Sequence, residues 1–121
     1  MTTFTEAARA GEFIIAEGNG SISREEVTIL SGQNLAAGTV VGKVTASGKY
    51  IAYDDDNADG SQTAAGILYA AVDASAADKK GVIIARHAEV ADSLLVWAGT
   101  NDAGDKTAGK ADLAALDIII R

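Results

Sequence analysis

The residues most suggestive of chemistry form an acidic stretch, YDDDNADGSQTAAGIL, from Tyr53 to Leu68. Within it, Asp55 to Gly60 reads DDNADG, which satisfies the first half of a calcium-loop pattern in which oxygen ligands alternate and glycine permits a sharp bend. The position that should close the loop with a bidentate glutamate is Gly66. Since Asp, Asn and Gly are also typical of tight turns, a solvated turn is predicted, with calcium binding as the alternative.

A second pattern, Gly104 to Ala111, reads GDKTAGKA and begins like a phosphate-binding loop. Ala111 stands where such a loop needs the hydroxyl of Ser or Thr to hold magnesium, and the preceding residues do not predict a strand. A glycine-rich connection into the last helix is predicted instead.

Other catalytic groups are scarce. His87 is the only histidine, so no zinc cluster or histidine pair can be assembled, and it is predicted to lie on the surface or at an interface. No serine lies in G-x-S-x-G, and nothing groups the 17 carboxylates into an acid and base pair. Trp97 is interpreted as a core anchor. We therefore assign no catalytic residue, no cofactor-binding residue and no metal ligand.

The elements that would position any site are mostly strands. Alternating or continuous apolar runs predict strands over Glu26 to Leu30, Ala64 to Val72, Val82 to Arg86 and Asp117 to Ile120. Val40 to Ala46 and Lys49 to Asp54 are predicted to form a hairpin that turns at Ser47 and Gly48.

Two short helices complete the prediction. The first spans Ala91 to Leu95, where Asp92 or Ser93 could cap, and the second spans Thr107 to Leu116. At 121 residues the chain is expected to form one mainly β domain.

Composition excludes several classes of partner. The net charge of −7 disfavours direct binding of nucleic acid, which depends on clustered Lys and Arg. No apolar run approaches the roughly 20 residues that cross a bilayer, so no membrane association is expected. The absence of cysteine excludes disulfides and thiolate sites. A soluble protein made in the cytoplasm is predicted.

Several segments together resemble a known family. They are SREEVTILSGQNLAAGTVVGKVTASGKYIAYD (Ser23 to Asp54), DGSQTAAGIL (Asp59 to Leu68), DKKGVIIARHAEV (Asp78 to Val90), the run Leu95 to Trp97, and ADLAALDIII (Ala111 to Ile120). In this order they resemble the head decoration proteins of tailed bacteriophages, over nearly the whole chain.

The resemblance implies a β-clip-like domain with one or two short helices and an extended N-terminal arm. The first 22 residues differ in character from the rest, so the chain is expected to divide into an arm, residues 1–22, and a β-rich decoration domain, residues 23–121. The resemblance further implies a structural virion protein without catalysis or cofactor, made in the cytoplasm of a bacterial host. Homotrimers are expected to bind the major capsid protein on the outer surface of the expanded head and to stabilise the shell.

Within the arm, Phe13, Ile14 and Ile15 are an apolar patch in polar, glycine-flanked surroundings. We predict that the arm stays flexible until these residues bind the capsid as an added strand. The alternative is that Phe13 to Ile15 pack against their own domain. The alternative function is a small β-rich module for a metal or a carbohydrate, with Asp55 to Gly60 as its site.

Overall fold

The computed structural model describes residues 9–18, 22–98 and 101–121. Within those ranges the strands are β1 (Ile14–Glu17), β2 (Arg24–Ile29), β3 (Asn34–Leu35), β4 (Val40–Lys43), β5 (Tyr50–Ala52), β6 (Ala64–Leu68), β7 (Val72–Asp73), β8 (Lys79–Ile84), β9 (Ala88–Val90) and β10 (Ile118–Ile120). A short 3-10 helix spans Asp92–Leu94, and one α-helix, α1, spans Ala103–Ala115. The mainly β single domain predicted from the sequence is confirmed.

Five strands close into a barrel in the order β2-β5-β4-β6-β8. All neighbours are antiparallel except β2 and β5, which pair in parallel through Ile29 and Tyr50. In β2, Val27 and Ile29 are buried while Glu26 is exposed, which is the predicted alternation. Closure gives each barrel strand a partner on both sides, so the barrel has no free edge.

The barrel strands β4, β6 and β8 contribute to two cores at once. Successive residues in Val40–Val41, Ile67–Leu68 and Ile83–Ile84 alternate between a core inside the barrel and an outer core against α1 and a second sheet. Because neighbouring side chains on a strand point to opposite faces, both faces of these strands are covered. This explains why the segments read as continuous apolar runs.

The helix α1 is fixed at its beginning by a reciprocal cap. The side chain of Asp102 accepts a hydrogen bond from Asp105 N (2.9 Å), and the Asp105 side chain accepts one from Asp102 N (3.1 Å). Buried Leu113 joins the helix to the outer core. Gly109 allows close packing, since a Cβ there would lie 2.7 Å from Trp97 Cζ3.

The second sheet has three strands in the order β1-β9-β10. β1 runs antiparallel to β9, whereas β10 runs parallel to it, with Ile118, Ile119 and Ile120 opposite Ala88, Glu89 and Val90. The residues that precede β9 and β10, His87 and Asp117, both have left-handed backbones, with φ of 51° and 61°. β3 and β7 form a separate two-stranded pair.

Most predicted strands are confirmed with shifted ends. The hairpin forms as β4 and β5, with the left-handed Gly48 in its turn. The predicted strand Ala64 to Val72 is interrupted, because the chain leaves β6 after Leu68 and re-enters extended pairing in β7.

The helix predictions were less accurate. α1 begins at Ala103 rather than Thr107, because the cap at Asp102 starts it earlier. The predicted glycine-rich connection from Gly104 therefore lies inside the helix. Ala91 to Leu95 contains only one 3-10 turn, and its cap residue is Ala91 without a side-chain hydrogen bond, so the capping role predicted for Asp92 or Ser93 was wrong.

Among the described helices, none is long and apolar enough to span a membrane.

Candidate functional site

The apolar patch predicted to bind a partner divides between core and surface. Phe13 is only 1% exposed and lies in the outer core, and Ile14 packs partly against the same core. Ile15 is 53% exposed. The reason is a bulge in β1: the pairing with β9 shifts between Ile14 and Ala16, which leaves Ile15 without an opposite residue.

Backbone hydrogen bonds hold this segment to the rest of the domain. Gly11 N donates to Tyr69 O (2.8 Å), Ala91 N donates to Phe13 O (2.8 Å), and Gly18 N donates to His87 O (3.0 Å). Of the alternative from the sequence, in which Phe13 to Ile15 pack against their own domain, the structure shows the packing of Phe13 and Ile14, whereas Ile15 stays exposed. Residues 1–8 and 19–21 of the predicted arm lie outside the described residues, and capsid binding by Phe13, Ile14 and Ile15 stays a prediction.

The end of β1 is joined to the barrel by an ion pair. Arg24 in β2 donates two hydrogen bonds to the Glu17 carboxylate, at 3.1 and 2.8 Å. These hydrogen bonds hold the pKa of Glu17 below its ordinary value. The Arg24 guanidinium also lies 4.2 Å from the centre of the Tyr69 ring.

The outer face of the three-stranded sheet is partly apolar. Ile119, in the centre of β10, is 52% exposed and lies opposite Glu89. Glu89 forms an ion pair with Arg121. Ala16, Glu89 and Ile119 also line a groove of about 330 Å³ beside β9. Exposed isoleucines at Ile15 and Ile119 thus accompany both outer strands of this sheet.

A larger groove, about 490 Å³, follows the other side of β10. Its walls are the last strand and the exposed side of α1; the lining residues are Asp92, Lys110, Ala114 and Asp117 to Arg121. Lys110 Nζ lies 3.1 Å from an Asp92 carboxylate oxygen at one end. No sequence argument pointed to this groove. Its signal in the sequence is the non-alternating run of three isoleucines, Ile118 to Ile120, which by itself predicts only a strand.

The acidic loop is closed by its own side chains. Asp59 accepts a hydrogen bond from Ser61 N (3.0 Å), and Asn57 donates to Ser61 Oγ (2.8 Å). The hydrogen bonds from the hydroxyl and amide of Ser61 hold the pKa of Asp59 below its ordinary value. Gly60, with φ of 111°, makes the bend, and Gly66 lies in β6. The loop is the predicted turn.

A different acidic group lies near this loop. Carboxylate oxygens of Asp55, Asp56 and Asp105 lie within 4.8 Å of one another at the start of α1. The hydrogen bond from Asp102 N lowers the pKa of Asp105, but desolvation and the nearby acidic charges outweigh it, and the pKa is raised overall. Asp55 also accepts a hydrogen bond from the Tyr53 hydroxyl (3.2 Å).

The other residues that the sequence suggested for binding or catalysis lie in the helix, on the surface or against the core. Gly104 to Lys110 are helical, so their backbone N–H groups are not arranged as a phosphate loop. His87 is exposed, as predicted, with Nδ1 3.5 Å from an Asp117 carboxylate oxygen. Trp97 packs against the outer core and meets Tyr53 edge to face, with ring centres 5.8 Å apart.

Comparison with known protein families shows to which family the chain belongs. The family model of bacteriophage lambda head decoration protein D matches residues 3–118. The chain belongs to this head decoration protein family. The family resemblance seen in the sequence is therefore confirmed. No curated protein matches the chain.

Membership in the head decoration family makes the chain a structural protein of the phage capsid and a part of the virion. It associates with the capsid, so at least one of its surfaces contacts another protein. The exposed apolar side chains on β1 and β10 are candidates for that contact, because a decoration protein needs surface available for a partner. A structural role also favours the prediction that the chain is not an enzyme.

Proposed function

We propose that this decoration protein binds as a homotrimer to the outer surface of the expanded phage head, contacts the major capsid protein and stabilises the shell. The match of the family over residues 3–118 is the observation that carries this proposal. The net charge of −7 supports an outer location, since an acidic protein is repelled by the packaged nucleic acid. Trimers would bind where three capsid subunits meet.

The stabilisation follows from mass action. A protein that binds the assembled shell, and not separated capsid subunits, lowers the free energy of the assembled state. In a trimer, three copies of the same contact act at high effective concentration, and avidity exceeds the affinity of a single contact by about 10²- to 10⁴-fold. A modest contact per protomer is then sufficient.

We propose that the N-terminal segment supplies one such contact, and that Ile15 is the member of the predicted set that reaches the capsid. Phe13 is 1% exposed and Ile14 is packed against the core, whereas Ile15 is 53% exposed on a bulge. Burying one isoleucine stabilises an interface by about 1.5 to 3 kcal/mol. The bulge presents Ile15 without requiring β1 to leave β9.

The test measures native mass in solution and cosedimentation with purified expanded empty heads. The protein is expected to have the mass of three chains and to remain with the heads. Ile15→Glu should weaken cosedimentation by at least about tenfold, because it removes apolar burial at each of three contacts. A monomeric mass, or absence of binding to heads, would overturn the proposed function.

Ile22→Glu is the matched control, because Ile22 is exposed to 54%, almost the same fraction as Ile15. It makes the same change of charge and should keep wild-type binding. Deleting Met1 to Ser21 is a weaker test, since it also removes Phe13 from the core and β1 from β9. Equal binding by Ile15→Glu and wild type would remove Ile15 from the contact while leaving the decoration function intact.

A further inference from the structure

The free edge of β10 has backbone groups directed away from its own sheet. Ala88 N donates to Asp117 O, Arg121 N donates to Val90 O, and Asp92 N donates to Arg121 O. Residues 117 and 121 therefore bond toward β9. Since backbone groups on a strand alternate in direction, the N–H and C=O of Ile120 point to the opposite side.

That opposite side is the groove between β10 and α1. Ile120 is partly exposed and lines the groove, whereas Ile118 is buried at 1% exposure. In the described part of the chain, β10 pairs with β9 alone, and the Ile120 N–H lies on the side of β10 away from β9. Free strand edges accept strands from other chains, and proteins usually cover or twist them away.

We infer that an extended, apolar segment of the major capsid protein adds to this edge as a fourth strand of the β1-β9-β10 sheet. Its backbone would bond to Ile120, and its inward side chains would lie on Ala114 and Ile120. Strand addition of this kind derives affinity from backbone hydrogen bonds and specificity from the pockets beside the edge. This inference rests on the proposed function, because it names a second contact with the same capsid.

Size argues for the capsid rather than a second copy of this chain as the occupant. β10 has three residues, which corresponds to about 10 Å of strand. Stable association of two subunits buries about 800 Å² on each partner, far more than so short an edge provides. A small contact is sufficient where it is repeated on one shell and added to other contacts.

Continuity also favours the capsid. The groove edge and the segment with Ile15 belong to the same three-stranded sheet, on its two outer strands. If Ile15 contacts the shell, β10 is brought close to the same surface. Capsid association itself follows from the family.

Ala114 and Ala115 provide a matched pair of variants. Both are exposed in the last turn of α1, but only Ala114 lines the groove. Because both positions lie in the last turn of the helix, the helix propensity of arginine and its interaction with the helix dipole are the same at each. Each substitution also changes the net charge by one unit. Ala114→Arg fills the groove, whereas Ala115→Arg leaves it open.

Binding of both variants to expanded heads is compared with wild type, together with native mass and melting temperature. Ala114→Arg should bind at least about tenfold more weakly, with mass and melting temperature unchanged, while Ala115→Arg binds like wild type. Equal binding of all three overturns the inference but leaves the proposed function standing. A reduced mass for Ala114→Arg also overturns it, because the groove would then hold a second copy. Wild-type protein that does not bind heads refutes the proposed function itself.

Amide exchange provides a second measurement that needs no substitution. In the free protein, Ile120 N–H should exchange faster than Arg121 N–H, which donates to Val90 O. On heads, Ile120 N–H should become protected. Unchanged exchange at Ile120 on fully decorated heads contradicts strand addition.

Discussion

The closed barrel and the three-stranded sheet of this protein differ in whether their strands are paired on both sides. In the barrel, every strand from β2 to β8 in the ring has partners on both sides. In the sheet, β1 and β10 each have one partner among the residues that the structure describes, and each contains an isoleucine exposed by about half, Ile15 at 53% and Ile119 at 52%. The barrel strands are paired on both sides, whereas the sheet keeps exposed apolar side chains on its two outer strands.

The two regions also differ in whether one or both faces of their strands are buried. Strands β4, β6 and β8 place the pairs Val40–Val41, Ile67–Leu68 and Ile83–Ile84 in two cores, so these side chains are not available to a partner. The sheet uses one face for the outer core and leaves the other partly exposed. The proposed capsid contacts thus lie on a sheet that is packed against a closed barrel.

The largest predicted effect concerns the residue that anchors the sheet. Phe13→Ala should lower the free energy of unfolding by about 3 to 5 kcal/mol, because it leaves a cavity in the outer core. Urea denaturation measures the change. Ile15→Ala is the control and should change stability by less than about 0.5 kcal/mol, since Ile15 is largely exposed. A similar loss for both variants would contradict the division of this segment between core and surface.

An intermediate effect is expected in the barrel strand β4, at its contact with the loop that contains Ser61. A Cβ added at Gly42 would lie 2.5 Å from Ser61 O and 2.7 Å from Ser61 Cα, and these backbone atoms cannot move without shifting the adjacent loop. Gly42→Ala should therefore lower the free energy of unfolding by about 1 to 3 kcal/mol. Thermal denaturation followed by circular dichroism measures it.

Gly104→Ala is the matched control for that substitution. Gly104 is exposed in the first turn of α1, where alanine is favoured over glycine by up to about 1 kcal/mol. Its melting temperature should stay level or rise. If Gly42→Ala behaves like Gly104→Ala, the Ser61 loop packs less closely on β4 than the distances indicate.

The smallest effect concerns the ion pair that joins the sheet to the barrel. The pKa of Glu17 is lowered in the folded state, so its contribution to stability is present above its ordinary value of 4.5 and is lost as pH falls through the lowered value. Glu17→Gln should reduce the melting temperature by at most about 4 °C near pH 7. Near pH 2 the two proteins should melt together. A difference that is as large at pH 2 would show that the carboxylate charge is not responsible.

The sequence predicted the barrel better than the sheet, for a physical reason. Alternation in β2 and the hairpin turn at Gly48 are local signals that survive in the fold. α1 begins earlier than predicted because its cap pairs Asp102 with another aspartate, Asp105, in place of the usual Glu or Gln. The burial of Phe13 depends on Val90 and Leu113, which are distant in sequence, so no local pattern could reveal it.

The candidate surface was only partly predictable. The apolar run Phe13 to Ile15 was identified, but which member faces solvent depends on a bulge that the sequence does not announce. The groove beside β10 requires α1 and the last strand to be placed together, and that placement is a long-range property of the fold. The turn predicted at Asp55 to Gly60 is found, with Gly60 at its bend and a hydrogen bond from Ser61 N to Asp59.

The left-handed residue before β10 has one more consequence. Three consecutive isoleucines do not specify the register of β10 against β9, because a shift by one residue replaces each isoleucine with another isoleucine. The alignment is instead set by the backbone: Asp117, with φ of 61°, turns its carbonyl to accept from Ala88 N. The exposed residue Asp117 thus determines which isoleucine is buried in the core and which backbone N–H points away from the sheet.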